Sequence, residues 1–508
     1  MAALSMALVG GAVYAVTPNG GFAASPDPSV ADAASGSEEG ADQDTDLLGA
    51  AGSASLSQFT AGKTVTVEGR VGQTKLLGSS VQENLLLLEL KGDTASGGEQ
   101  PRVNLSIVID KSGSMRGTRL TNALAAAETA VQRLRDGDTV SVIAFDTKTE
   151  IVVPTTAVNT SSRSATLQSI RGITLGGDTC ISCGLEEGLS ELRRAESFGG
   201  GGTGAVERMI LLSDGEPTSG VRDVSSFRAI AQRAMTQGVS VTTIGVDVEF
   251  NESIMTAIAL ASNGRHHFVE NDRDLARVFE AEAASLEESV AADSVAEIQL
   301  APGVELVQVF DRTFTRSGDR ITVPLGTFTK GETKTVLVKV RAPAGADGAT
   351  ELAKVDVAYR DLVSGKDQKL SGSLGFERVS RSSDVADLDG LVLDRLQRSE
   401  TAAALRDANS LFVVGKADEA RRRLQQAQQS LNKAKNIAPK LAPASRAKDV
   451  EKSFAAQEAE LSRAEGGFAT PPPDPFAAPG AAKPAPAPAR EQKVHQKKNA
   501  EVANDLAF

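Results

Sequence analysis

Between Val103 and Glu280, short apolar runs alternate with helix-length amphipathic segments. That alternation leaves few folds open, because it is the pattern of a mostly parallel sheet with helices packed on both faces. The expected strands are VNLSIVID, TVSVIAF, MILLSD, VSVTTIGV and HHFVE, and the helices between them include LTNALAAAETAVQRLR, GLEEGLSELRRAE and VSSFRAIAQRAMTQG. The fold class is therefore α/β, a Rossmann-like open sheet, assigned to residues 102–288.

The flanks have a different period. Residues 59–101 alternate in TVTVEGRV and become denser in ENLLLLELK, while residues 289–380 contain VAEIQLA, VELVQVF, RITVPLGTF, TKTVLVKVRA and AKVDVAYRD. Alternation broken by Gly, Asp and Pro predicts a β-sandwich. Thr60–Lys91 holds too few strands to bury its own apolar face, so these strands and those of Ala296–Val379 are expected to form one sandwich into which the α/β unit is inserted. Residues 384–465 read as a helical hairpin or bundle with breaks near Val414–Lys416 and Pro439–Pro443, and residues 466–508 as a Pro/Ala-rich disordered tail. At the other end, residues 1–25 resemble an apolar export signal and residues 26–58 an acidic, disordered linker. No Lys or Arg precedes Lys63, so the basic leader of an ordinary signal is missing.

The chemistry concentrates in three loops. Asp110, Ser112 and Ser114 (DKSGS) follow the strand VNLSIVI directly, Thr179 precedes a helix, and Asp214 closes the strand MILLSD. Ligands of open α/β sheets sit at the carboxyl ends of the strands, where these loops converge. All five side chains offer hard oxygen, which suits Mg²⁺, Ca²⁺ or Mn²⁺ and not zinc. The order D-x-S-x-S, then Thr, then Asp resembles the metal-ion-dependent adhesion site of the von Willebrand factor A family. RLRDGDTVSVIAFD, the Gly-Leu pair after Thr179, TIGVD and NESIMTAIA extend the resemblance over about Val103–Glu280. The resemblance implies that the serines bind the cation directly, that Thr179 and Asp214 act directly or through water, that Asp110 completes the shell, and that a partner's Asp or Glu fills one open position.

Other motifs carry less. Cys180 and Cys183 flank two residues in the Thr179 loop, and a disulfide is favoured over a redox pair, a zinc site or two inert thiols. Gly199–Gly204 matches a dinucleotide fingerprint literally but runs from helix to strand, and Gly62, Lys63 and Thr64 mimic a phosphate loop with no helix following. His266 and His267 are expected to cover a sheet edge. Asp247, Glu216 and Asp178 are each either supports for the metal or plain loop carboxylates.

A net charge of −12 argues against nucleic acid as the partner, and 4% aromatic content with no Trp leaves little for stacking platforms. The expected function is metal-dependent binding of a protein that presents an acidic residue, in adhesion or envelope assembly, at an extracytoplasmic location in the periplasm or on the cell surface. An accessory subunit that clamps an ATPase or transport system is the alternative. A metal-dependent hydrolase ranks last, since the loops offer no general base beyond the ligands themselves.

Overall fold

The structure is a computed structural model that describes residues 56–95, 101–197, 205–468 and 487–507. The export-like segment, nearly all of the acidic linker and Gly199–Gly204 lie outside the described residues. The α/β unit is a six-stranded sheet in the order His266–Val269, Ser240–Val246, Val206–Ser213, Val103–Asp110, Thr139–Phe145, Thr149–Ala157. All neighbours are parallel except the last pair. Chain order reverses between Val103–Asp110 and Val206–Ser213, so the carboxyl ends of those two strands flank the crevice where such folds take ligands.

Both faces are buried. Leu105, Ile107 and Ile109 face helices Thr118–Arg133 and Leu275–Glu287, while Val108 on the other face meets helix Ile181–Ser197. Gly184 and Gly188 let that helix approach closely: a Cβ on Gly184 would lie 2.6 Å from the Phe145 ring, and one on Gly188 would lie 2.7 Å from Val108 and Met209. Substituting either forces the helix off the sheet.

Strands before and after this unit do form one sandwich. Gln82–Gly92 pairs antiparallel with Thr333–Ala342 in a five-stranded sheet, and Lys75–Leu77 joins Lys366–Val379 in the six-stranded sheet that faces it. The two ends of the insert meet at one turn, where Gly92 N donates to Glu332 O at 2.9 Å and Lys330 N donates to Glu288 O at 2.9 Å. The dense leucine run is dense because both its faces are covered. Leu86, Leu88 and Leu90 enter the sandwich core, and Leu85 and Leu87 pack against helices.

Those helices are Gly390–Val413, Ala417–Lys435, Ala438–Leu441 and Ala447–Gly467, interrupted where the sequence predicts. The expected disordered tail over 466–508 needs correction at its end: Ala487–Ala507 is a helix. It buries Val494, Ala500, Ala503 and Ala507, and its basic residues face the α/β unit: Lys493 pairs with Glu249 at 2.9 Å, Lys498 with Glu270 at 2.9 Å, and Arg490 with Asp247 at 2.9 Å. No described helix is long and apolar enough to cross a membrane.

Candidate metal centre

Strand Val103–Asp110 ends on a carboxylate that is fully buried. Asp110 Oδ1 accepts from Ser112 N at 2.8 Å and Oδ2 accepts from Ser213 Oγ at 2.6 Å, so both oxygens are spent on shaping the loop. Burial pushes its carboxyl up to about 6, opposed by the hydrogen bonds from Ser112 and Ser213. Ser112 and Ser114 then turn their hydroxyls toward each other at 3.0 Å, and Ser114 Oγ donates to Asp214 Oδ1 at 2.6 Å. Asp214 is also fully buried, and its carboxyl is raised by that burial against the pull of Ser114 and Arg119.

Thr179 joins the cluster through backbone pairing of two loops. Thr179 N donates to Thr218 Oγ1 at 2.8 Å, and Thr218 N donates back to Thr179 O at 2.9 Å. Gly215 lies between them: a Cβ there would stand 3.4 Å from both Ser114 Oγ and Thr179 Oγ1, so Thr179 comes beside the chain of contacts that joins Ser112, Ser114 and Asp214. Ser114 is exposed while Asp110, Ser112, Thr179 and Asp214 are buried. The cluster thus has a closed floor and an open mouth.

The cysteines fasten this arrangement. Cys180 and Cys183 form a disulfide across the first turn of helix Ile181–Ser197, with Cα atoms 5.3 Å apart. Ser182, between them, accepts from Val221 N at 3.0 Å and so ties the turn to the loop after Asp214.

Two contributors escape a sequence reading. Ser213 orients Asp110, Arg119 donates to Asp214 Oδ2 at 2.9 Å, and Arg119 also pairs with Asp247. Of the residues weighed as supports, Asp247 is held by Arg119 and by Arg490 of the C-terminal helix, Glu216 accepts from Asn251, and Asp178 donates its backbone N–H to Thr147 Oγ1 at 2.9 Å. His266 is buried with its ring against Thr243 Oγ1 at 2.9 Å, and burial pushes its pKa down to about 3. His267 binds Glu282 at 3.0 Å. Gly62 makes the turn between antiparallel strands Gln58–Ala61 and Val65–Val71, not a phosphate loop. Among the described residues no group of three or more His, Cys, Asp or Glu is placed to hold a metal, so any cation here depends on the hydroxyls.

Residues 104–281 match the family model described as the von Willebrand factor type A domain. An uncharacterised Synechocystis protein, sll0103, is 26% identical over 54% of this chain and 65% of its own length. Inter-alpha-trypsin inhibitor heavy chain H1 of Sus scrofa is 29% identical over 34% of this chain and 19% of its own length. The chain therefore spans less than two thirds of the length of these relatives. Among solved structures, the von Willebrand factor type A protein from Catenulispora acidiphila superposes with TM-score 0.62 at 19% identity, covering 75% of this chain and 90% of that one. The ArnB paralog VWA2 from Sulfolobus acidocaldarius gives TM-score 0.51 at 19% identity, covering 78% of this chain and 98% of its own. At that identity the likeness is one of fold.

Proposed function

Because residues 104–281 are a von Willebrand factor type A domain, a module of protein–protein interaction, we propose that this chain binds a protein partner through a divalent cation held by Asp110, Ser112, Ser114, Thr179 and Asp214. The observation that carries the reading is the convergence of hard oxygens at the mouth of the crevice: Ser112 Oγ lies 3.0 Å from Ser114 Oγ and Ser114 Oγ 2.6 Å from Asp214 Oδ1, a donor set that suits Mg²⁺, Ca²⁺ or Mn²⁺.

The residues have divided tasks in this reading. Asp110 positions the loop and supplies negative charge from beneath, the hydroxyls and Asp214 face the cation, and Arg119 holds the far oxygen of Asp214. The exposed side at Ser114 leaves room for a carboxylate of the partner, which displaces water from an incomplete shell. The proposed role is binding, and the side chains of His266 and His267, engaged with Thr243 and Glu282, offer no base to the loops. The disulfide supports an oxidising, extracytoplasmic location, and the net charge of −12 disfavours nucleic acid.

Capture of partners from source-cell extract, with Mg²⁺ and with a chelator, tests the reading. Wild type retains partners only with the cation, and Ser114→Ala loses them in both conditions. Equal capture by both proteins in chelator would refute it.

A further inference from the structure

A cavity of about 430 Å³ lies where the α/β unit, the sandwich and the C-terminal helix meet. Its wall carries four cations, Arg208, Arg265, Lys334 and Arg398, against two carboxylates, Glu332 and Asp505. The neighbouring cavity of about 670 Å³, which shares Arg398, is balanced with four of each, and its Arg446 is paired with Glu89 at 3.0 Å. The smaller cavity therefore holds uncompensated positive charge, which is costly in a buried place.

The donors there are incompletely used. Arg208 is 7% exposed, its Nη1 makes only a long hydrogen bond of 3.4 Å to Thr242, and its Nε has no partner among the described residues. Arg398, half-buried on helix Gly390–Val413, makes no hydrogen bond or ion pair among the described residues. Arg265 reaches Glu332 at 3.5 Å, and Asn504 Oδ1 is buried with no donor opposite it among the described residues. Lys334 adds charge, and its Nζ already donates to Leu325 O at 2.9 Å and Thr327 O at 2.5 Å and stands 3.9 Å from Glu332. Glu282, beneath the wall, offsets part of the excess: it takes His267 at 3.0 Å and stands 3.8 Å from Arg208 and 4.0 Å from Arg265. Burial pushes the Lys334 ammonium down to about 8, the direction expected of a cation short of counter-charge.

We propose that this cavity binds a small oxyanion, a phosphate or carboxylate compound, with Arg208 Nε, Arg265 and Arg398 as its donors. Its volume lies in the range of small-molecule sites, about 300–1,000 Å³. A ligand with a hydroxyl also satisfies Asn504 Oδ1. Contacts from three parts of the chain make such a ligand a staple between them, independent of the cation at the sheet edge.

Calorimetry on the full chain stripped of metal, at low ionic strength, tests this with inorganic phosphate and succinate as probes and chloride as control. Saturable binding of at least one probe is expected, accompanied by a rise in melting temperature. Arg398→Ala loses no hydrogen bond or ion pair among the described residues and only an attraction to Asp394 one turn earlier on its helix, so its ligand-free melting temperature falls little while its affinity falls about tenfold or more. Arg265→Ala gives a second reading in the same direction, and Lys493→Ala, on the far side of the C-terminal helix's basic row, leaves affinity unchanged. Binding of phosphate alone assigns a phosphate compound, and binding of succinate alone a dicarboxylate. The proposal is overturned if neither probe gives saturable heat at millimolar concentration, or if Arg398→Ala and Arg265→Ala both bind as tightly as wild type.

Discussion

The loops at the carboxyl edge of the α/β sheet and the seat of the C-terminal helix on the same unit are both built from charged groups, but they are assembled in opposite ways. At the edge, Asp110 and its hydroxyl neighbours are held by hydrogen bonds within a loop and between adjacent strand ends. Their positions follow from the sheet. At the helix seat, Arg490, Lys493 and Lys498 reach Asp247, Glu249 and Glu270 across more than 200 residues of chain, and Lys497 Nζ donates to Phe250 O at 2.7 Å. There the fold must already be complete before the pairs can form. The first arrangement is suited to a site that accepts a ligand, the second to a joint between parts, and Asp247 touches both through Arg119 and Arg490.

Substitutions can separate the two. The largest effect on stability is expected on the joint side, at Arg395, which is 2% exposed and donates to Asp311 at 3.3 Å, Ser399 at 2.6 Å and the carbonyl of Ala507 at 2.9 Å. Arg395→Ala leaves Asp311 less compensated and unties the end of the C-terminal helix, so urea unfolding should show a loss of about 3–5 kcal/mol. Cation affinity at the sheet edge should not move. On the site side, Ser213→Ala removes the donor to Asp110 and should weaken cation binding roughly 10–100-fold. A titration showing wild-type affinity would mean that Ser213 merely fills space.

A third test uses pH at the joint. Burial pushes the Glu252 carboxyl up to about 7, with Lys497 and Asn409 pulling it back. The folded chain holds this proton more tightly than the unfolded one, so the contribution to stability is present below the ordinary value of 4.5 and is lost as pH rises through about 7. His266 works the other way, since its stabilising contribution is present above its ordinary value of 6.5 and is lost as pH falls toward about 3. Comparing Glu252→Gln with wild type isolates the first effect: the variant gains melting temperature relative to wild type as pH is raised from about 5 to about 8. A constant difference would show that Glu252 does not titrate there. The smallest effect belongs to Lys493→Ala. Its pair with Glu249 is exposed on both sides, and the loss should stay within about 0.5 kcal/mol and vanish at high salt.

The same contrast explains what could be read from the sequence. A carboxylate and two hydroxyls placed directly after an apolar strand point to the sheet edge, because strand direction and side-chain type are local properties. The insertion was legible too, since Thr60–Lys91 cannot bury its apolar face alone. The C-terminal helix was not legible. The Pro and Ala tract ahead of it sets the composition, its buried positions are small or polar residues with Val494 the one large apolar side chain among them, and its lysines resemble a solvated face until the acidic rim from Asp247 to Glu270 is placed beside them. Arg119 was missed for a similar reason, since its partners Asp214 and Asp247 lie 95 and 128 residues away and only the sheet order brings them together.

The central claim is that the hydroxyl and carboxylate cluster holds a divalent cation. Calorimetric titration of Mg²⁺ into wild type and into Asp110→Ala measures it directly. The account predicts a saturable single site in wild type, with a melting temperature that rises with cation concentration, and neither response in the variant. Absence of binding in wild type, or equal binding by both proteins, would contradict it.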